Sequence, residues 1–501
     1  MTAGRGPCET QCPVSTSATR QAEGSLEAAY APLASFFDAF AAVARRWQQR
    51  NGTYHDLLGR IARFHVLPGA SALEIGSGTG DLLAMLRPSR GVGIDISEGM
   101  VELARRTHPN LDLRVGAGEE LDLGETFDYI LLSDLVPYVH DLVTLFERVA
   151  AHSHSRTRVI VNSYNSVWRP VLAVAEWLRL KPAKPLRNWV SPQDVQNLLE
   201  LAGLEQVTLS RRILMPKRIP FVTTALNGGL ANVWPFNHLC LTWWIVARPV
   251  PTRSTERSVS VVCPCRNEQG HIPDLVRRLP EIGGEMELVF VEGNSTDDTR
   301  GEIERQIASH PRRSIRLVDQ PGKGKGDAVR AGFAAARNDA LLILDGDLSV
   351  SPEDMPKFYR ALLEGRGELV NGSRLVYDIE PGAMRFLNMV ANRVFSRWFK
   401  AITGQHVKDT LCGTKALLRS DYERIAAGRS YFGDFDPFGD FDLLFGSARL
   451  GLKIVDLRVR YQPRAYGDTN ISRWRHGLLL LRMTIFALWK FRVAPYRADA
   501  A

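Results

Sequence analysis

The sequence predicts an α/β protein made of two tandem domains, each an alternation of strands and helices around its own sheet. Three observations lead there. The chain has 501 residues, too many for one hydrophobic core, and roughly 200–250 residues per domain is the expected division. Strand and helix patterns alternate after Phe64 to about Arg248, and again from Val259 to about Arg464. Between them, Arg248-Pro249-Val250-Pro251-Thr252-Arg253-Ser254-Thr255-Glu256 is polar and proline-bearing, the composition of a linker. The halves carry different glycine motifs and no short repeat, so they are not copies of one unit. The expected organisation is a tail at 1–24, a domain at 25–249, a linker at 250–257, a domain at 258–470, and a basic amphipathic helix with its tail at 471–501.

Composition sets broad limits. The chain is 45% hydrophobic and 24% charged, as globular proteins are, with a net charge of +8. That charge suits phosphate-rich ligands or an anionic membrane surface, and equally a solvated basic surface. No basic run interleaved with aromatics points to nucleic acid. Six cysteines are sparse for this length and form no zinc-type double pair, which fits a reduced cytoplasmic setting. Cys8 and Cys12 fall in a Thr/Gly/Ser/Pro-rich start expected to be disordered. No basic region followed by an apolar run marks a signal peptide. No uninterrupted apolar run reaches about 18 residues, so no spanning helix is expected.

In the first domain, apolar groups at helical spacing around Phe36, Phe37, Phe40 and Val43 predict a helical start. Ser71-Ala72-Leu73-Glu74-Ile75-Gly76-Ser77-Gly78-Thr79-Gly80-Asp81 then reads as strand, glycine turn and helix start. The glycines permit positive φ and close approach of a ligand. The next strand, Gly91-Val92-Gly93-Ile94-Asp95, ends in an acid roughly 20 residues on, placed to bind two ribose hydroxyls.

Glu-x-Gly-x-Gly-x-Gly resembles class I S-adenosylmethionine-dependent methyltransferases, a Rossmann-like fold, over about 60–245. Phe127-Asp128-Tyr129-Ile130-Leu131-Leu132-Ser133-Asp134 resembles their fourth strand. Asn188-Trp189-Val190-Ser191 and Ala202-Gly203-Leu204 resemble their late helix and the loop before the sixth strand. The resemblance implies that Glu74 and the Gly76, Gly78, Gly80 turn face the amino-acid end of S-adenosylmethionine, that Asp95 holds its ribose, and that Ser133 borders the sulfonium. One place departs: where the family often has an acid for the adenine amine, this chain reads Gly116-Ala117-Gly118-Glu119. Ala117 has no side chain for that contact, and Glu119 is left as the substitute. Tyr138 and His140 follow the fourth strand, on the acceptor side; His140 reads first as a surface residue at a helix start.

The second domain opens with the strand Ser258 to Pro264, then Arg266-Asn267-Glu268. Cys263 and Cys265 flank that proline, too close for a usual structural disulfide, and read as packing residues. Leu288-Val289-Phe290-Val291-Glu292 is a second strand ending in an acid. Gly322-Lys323-Gly324-Lys325-Gly326 is a basic glycine loop before a helix, a natural diphosphate contact. Leu341-Leu342-Ile343-Leu344-Asp345-Gly346-Asp347 runs four apolar residues into two carboxylates. Open α/β sheets bind ligands at such strand ends, and paired carboxylates there call for a hard divalent cation.

That order of motifs resembles family-2 glycosyltransferases of the GT-A fold, over about 257–470, and within them the polyprenyl-phosphate, dolichyl-phosphate-mannose-like transferases. The resemblance implies that Glu292 and Asp297 contact the nucleoside and that Lys323 and Lys325 lie near it and its phosphates. It implies that Asp345 and Asp347 carry the metal, Mg or Mn, bridging a nucleotide-sugar diphosphate. The family's usual acid pair after the second strand is Glu292-Gly293 here, which leaves the base open. Asp409-Thr410-Leu411-Cys412-Gly413-Thr414-Lys415 and Gly439-Asp440-Phe441-Asp442 resemble acceptor-side segments, and Arg464 lies in a late Arg-x-x-Gly loop suited to an acceptor phosphate. A hydroxyl acceptor requires a base, for which Asp440 and Asp442 are the candidates, against a reading of both as helix-cap aspartates. A lipid-phosphate acceptor, already ionised, requires none.

The last predicted helix, Gly477 to Arg492, is apolar with a cationic stripe including Arg482 and Lys490. It suits a peripheral membrane interface or packing on the other domain. The expectation is a bifunctional transferase: metal-dependent inverting sugar transfer to a lipid-phosphate or small-molecule acceptor, with methylation in the same pathway. A methyltransferase fold acting only as a cofactor-binding or docking module is the alternative.

Overall fold

The computed structural model describes residues 17–185, 189–251, 255–374, 386–431, 439–460, 462 and 473–496. Two seven-stranded mixed sheets organise them. The first contains β1 (Ser71–Ile75), β2 (Arg90–Asp95), β3 (Asp112–Val115), β4 (Phe127–Ser133), β5 (Ser153–Tyr164), β6 (Leu204–Arg212) and β7 (Thr242–Pro249), in the order β3-β2-β1-β4-β5-β7-β6. β7 runs antiparallel to both neighbours, and the other pairings are parallel. The second contains β8 (Val259–Cys265), β9 (Met286–Glu292), β10 (Ser314–Asp319), β11 (Ala340–Ile343), β12 (Leu369–Ser373), β13 (Lys415–Leu418) and β14 (Ile454–Arg458), in the order β10-β9-β8-β11-β13-β12-β14. Here β13 is the antiparallel strand.

The central strands read as unbroken apolar runs because helices cover both faces. Ile130, Leu131 and Leu132 on β4, and Leu341, Leu342 and Ile343 on β11, are buried. Strand order reverses between β1 and β4, and again between β8 and β11. At such switch points the loops diverge and leave a crevice at the carboxyl ends of the strands. β1, β2 and β4 therefore deliver Ile75, Asp95 and Ser133 to one edge, while β8, β9 and β11 deliver Cys265, Glu292 and the Asp345 turn to another.

A helix, Ser17–Arg50, starts inside the stretch expected to be a tail; its opening Ser-Ala-Thr-Arg-Gln-Ala-Glu is rich in helix formers. Its portion Leu26–Arg50 contains, among the described residues, a stretch long and apolar enough to cross a membrane by length and composition. Asp38 interrupts it, so a scan for an unbroken apolar run passes over it. That aspartate accepts from Ser97 Oγ at 2.6 Å and Gly99 N at 2.9 Å, tying the helix to the first domain.

The C-terminal helix, Arg473–Leu488, continues as a π-helical turn to Val493. Leu480, Met483, Ala487 and Phe491 join the core of the second domain together with Phe64 of the first, whose ring meets Phe491 at 5.3 Å. One face of this helix packs on protein, while Leu478, Ile485 and Leu488 on the other remain exposed. Charged side chains also cross between the domains: Arg158 Nη2 lies 2.5 Å and Arg248 Nη1 3.1 Å from the Glu368 carboxylate.

Candidate functional site

At the first sheet edge the glycine turn takes the conformation its composition allows. Gly76, Gly78 and Gly80 have φ of 75°, 51° and 71°, a region open mainly to glycine. Asp95 spends both oxygens on this turn and the next, accepting from Gly78 N at 2.7 Å and Ser97 N at 3.0 Å. Burial raises its carboxyl above the ordinary aspartate value despite those two bonds. Glu74, on β1 beneath the turn, accepts from Leu83 N at 3.1 Å. Burial pushes it up to about 8, the Leu83 N–H pulls it down, and Asp95 and Asp81 add to the rise.

A cavity of about 800 Å³ opens beside this turn, lined by Gly76, Gly78, Asp95, Ser133, Glu119 and Tyr138 among others. Glu119, the residue left open for the adenine, is buried and accepts from Tyr30 Oη at 2.5 Å and His140 N at 3.2 Å. Tyr138 lines the cavity and meets the Phe37 ring edge-on at 5.6 Å. His140 is exposed. An open glycine cradle, a strand-end carboxylate and a cavity lined by both fit S-adenosylmethionine.

Sequence reasoning quoted Asp134 without giving it a role. It follows Ser133 directly and has φ of 53°. Its carboxylate accepts from Tyr54 Oη at 2.8 Å and Asn162 Nδ2 at 3.2 Å. Burial raises it to about 6, with the Tyr54 hydroxyl and Lys184 acting against that. Asp134 lines both the first cavity and a second of about 1620 Å³, which also takes in Tyr54, Tyr164, Leu172, Leu180 and Lys217. A strand-end acid beside the expected sulfonium place was the signal that could have found it.

At the second edge, Asp345 Oδ1 lies 2.5 Å from Lys325 Nζ. Burial lowers the Lys325 ammonium, but Asp345, with Asp440 and Asp347 behind it, outweighs burial and holds it above the ordinary lysine value. Asp347 Oδ1 accepts from Ser349 N at 3.0 Å. Asp440 Oδ1 lies 2.7 Å from the fully buried Lys415 Nζ. Asp440 thus faces the Lys325 and Asp345 group. Asp442, two residues along the same helix, turns away and pairs with Arg429 Nε at 2.7 Å. The structure brings Asp345, Asp347, Lys325 and Asp440 together and separates Asp442 from them.

Glu292 accepts from Asn294 N at 3.2 Å and Ser295 N at 2.6 Å. Asp297 accepts from Thr299 Oγ1 at 2.5 Å and Gln269 N at 3.3 Å. Both carboxylates brace the loops after β8 and β9. Lys323 is exposed on the glycine loop. Arg464 lies outside the described residues. Cys263 and Cys265 are buried and free, their sulfurs 3.6 Å apart.

Asp345 and Asp347 stand two residues apart at the end of β11, with the Lys325 ammonium against Asp345. Two carboxylates plus substrate phosphates are the usual donor set for Mg²⁺. Gly413 keeps space beside them: a Cβ there would stand 2.6 Å from Asp345 Oδ2 and collide with Lys325 Nζ. Asp345 and Asp347 therefore fit a hard divalent ion. Lys415 and Gly413 were quoted from the sequence without these roles, because only the antiparallel pairing of β13 with β11 brings them to this edge.

Comparisons with known proteins follow this division. The glycosyl transferase family 2 profile matches residues 260–425, and a methyltransferase domain profile matches 46–209. Glycosyltransferase AglJ of Haloferax volcanii is 32% identical over 225 residues, covering 44% of this chain and 69% of that protein. An undecaprenyl-phosphate 4-deoxy-4-formamido-L-arabinose transferase of Pseudomonas aeruginosa is 28% identical over 221 residues, covering 43% of this chain and 61% of that one. A solved structure, a SAM-dependent methyltransferase and possible histamine N-methyltransferase from Thermotoga maritima, is 18% identical with a TM-score of 0.34, over 43% of this chain and 98% of that chain. Through its C-terminal half the chain belongs to glycosyltransferase family 2, and it joins to that enzyme domain a methyltransferase domain.

Proposed function

We propose that the C-terminal domain transfers a sugar with inversion from a nucleotide sugar to a lipid-phosphate or small-molecule acceptor. The observation that carries this is the group of Asp345, Asp347, Lys325 and Asp440 at the end of β11. Asp345 and Asp347 would hold Mg or Mn, whose positive charge offsets that of the departing diphosphate. Lys325 stands against Asp345 and supplies a second cation where leaving-group charge develops. Similarity to an undecaprenyl-phosphate transferase favours a lipid-phosphate acceptor, and Arg464 is our candidate for its phosphate. For a hydroxyl acceptor Asp440 is the better-placed base, since Asp442 faces Arg429. Glu292, Asp297 and Lys323 are our candidates for the nucleoside side. A thermal-shift panel of nucleotide sugars with Mn or Mg tests the reading: stabilisation by one of them, lost in Asp347→Ala, is expected, and no metal-dependent shift with any donor would overturn it.

The N-terminal domain, in the same proposal, binds S-adenosylmethionine through Glu74, the Gly76–Gly80 turn, Asp95 and Ser133, and methylates a sugar or acceptor of the same pathway. S-adenosylmethionine supplies an electrophilic methyl group. Asp134, held by Tyr54 and Asn162, is placed to take the proton an acceptor hydroxyl or amine gives up. The absence of a side-chain contact at Ala117 favours the second reading, a cofactor-binding or docking domain without transfer. Calorimetry with S-adenosylmethionine on wild type and Asp95→Ala, followed by transfer assays on products of the glycosyltransferase, separates the two. The enzyme would work in the cytoplasm, peripheral at the membrane.

A further inference from the structure

Two insertions leave the catalytic edge of the first sheet side by side. One, residues 165–185, follows β5; the other, residues 213–241, links β6 to β7. They are adjacent because Tyr164 pairs with Thr242 and Thr242 with Arg212. They are also bonded to each other: Trp168 Nε1 donates to Leu239 O at 2.7 Å and Asn165 Nδ2 to His238 O at 2.9 Å.

These insertions expose large apolar side chains that no described residue covers. Phe221 is 90% exposed, Trp177 81% and Trp234 76%, and Val171, Leu178 and Leu239 are exposed around them. Large apolar side chains exposed together on two insertions bonded to each other mark a contact site rather than ordinary scatter. Its charge indicates the partner. From Arg211 to Arg248 there is no Asp or Glu, while Arg211, Lys217 and Arg218 are present. In the first insertion the single acid, Glu176, is neutralised by Lys181 at 2.5 Å, leaving Arg169 and Arg179 exposed. Tryptophan, aliphatic groups and cations without acids are the combination that settles at a lipid headgroup boundary.

We infer that the methyltransferase domain docks on an anionic phospholipid bilayer through these two insertions. Leu172, Leu180 and Lys217 from the same insertions line the 1620 Å³ cavity that reaches Asp134. Its approach therefore lies beside the lipid surface, which assigns a lipid-borne methyl acceptor if the methyl-transfer reading above holds. The second insertion packs on the end of the C-terminal helix, Gly228 lying against Val493.

Flotation of the full chain with phosphatidylglycerol-containing vesicles and with phosphatidylcholine vesicles tests the docking. The wild type is expected to float with the anionic vesicles and weakly with the neutral ones. Trp177→Glu/Phe221→Glu/Trp234→Glu should lower partition at least about tenfold with an unchanged melting temperature. Arg169→Gln/Arg179→Gln/Arg218→Gln should reduce the preference for anionic vesicles. Three results would overturn the inference: no flotation of the wild type, equal flotation of the apolar triple variant, or a wild-type dimer in light scattering that this variant turns monomeric, which would make a second copy the occupant. S-adenosylmethionine calorimetry on the same samples keeps the readings apart, since lost cofactor binding sinks methylation and leaves the vesicle result standing.

Discussion

Glu74 offers the sharpest check on cofactor binding. Its carboxyl is buried, holds one described hydrogen bond, from Leu83 N, and stands at about 8 in the free protein. At pH 7 a group of that pKa is about nine-tenths protonated, by the titration arithmetic of. Our proposal sets it beside the amino-acid end of S-adenosylmethionine, whose α-ammonium favours the ionised carboxylate. The complex then carries fewer protons than the free protein, so binding releases protons and affinity falls as pH drops below about 8. The slope approaches tenfold per unit between about pH 6 and 7, a range in which the ligand's own α-amino group, near 7.7–8.0, stays charged. Calorimetric titrations in two buffers of different ionisation enthalpy read the protons directly. Glu74 gives up about 0.9 proton and the ligand's α-amino group takes up about 0.1–0.2, so a net release of about 0.7–0.8 proton per ligand at pH 7 is expected, with Glu74→Gln abolishing both release and slope. A wild type that binds with no proton release at pH 7 would refute the contact between Glu74 and the ammonium. A slope that survives in Glu74→Gln would move the linkage to Asp95, which burial also raises.

Asp345→Ala and Asp347→Ala should each lower sugar transfer by roughly a hundredfold or more, the scale set by loss of electrostatic stabilisation in an enclosed site, and should remove divalent-dependent protection in thermal shift. Gly413→Ala sets a methyl group 2.6 Å from Asp345 Oδ2; steady-state assays should show transfer down by at least about tenfold, as small misplacements of reacting groups cost, with cofactor calorimetry unchanged. Glu368→Gln leaves two buried guanidinium groups facing a neutral amide, and calorimetric unfolding should show a loss of about 3–5 kcal/mol. In the wild type, burial alone would raise Glu368, but Arg158 and Arg248 hold it below the ordinary value. Its stabilisation is therefore full above the ordinary carboxylate range and lost as pH falls through its folded value, so the wild-type advantage over Glu368→Gln should shrink in acid.

Legibility followed the range of the interactions. The strand ends at Asp95, Glu292 and Asp345 were readable because an apolar run terminating in an acid is a local pattern, and two α/β sheets follow from two rounds of alternation. The 1–24 tail was read from small polar residues near Cys8 and Cys12, while the helix from Ser17 draws on better helix formers beyond them. Asp440 and Asp442 looked alike in sequence. Spaced two apart on a helix, they point to different faces, and only the strand carrying Lys415 decides which one joins the site. The exposed aromatics at 177, 221 and 234 were invisible as a group, because the pairing of β5, β7 and β6 is what gathers them.

The way the domains are joined bears on whether they hand a product from one site to the other. Arg158 in β5, level with the start of β4, Glu205 at the start of β6 and Arg248 near the end of the antiparallel β7 all lie toward the side of the sheet opposite the cofactor edge. On the other side, Glu368 precedes β12 and Gly451 and Lys453 precede β14, again opposite the edge that carries Asp345. The bonds between them hold these two ends together: Arg158 Nε to Gly451 O at 2.7 Å, Arg248 Nη2 to Gly365 O at 2.7 Å, and Lys453 to Glu205. Arg158 and Arg248 are almost wholly buried, so separating the domains would expose or orphan charges whose partners lie across the junction. These bonds fasten the domains at the sheet ends opposite the two catalytic edges, and the C-terminal segment adds a further tie, Arg212 Nη1 to Phe491 O at 3.3 Å. Sheet ends joined in this way set the two catalytic edges apart, so a product that leaves one edge has to be carried to the other. If both domains serve one pathway, a carrier that diffuses in the plane of a bilayer meets that requirement without loss to bulk solvent, and the apolar rim around the first catalytic edge, its acid Glu176 paired with Lys181, is where such a carrier would be met.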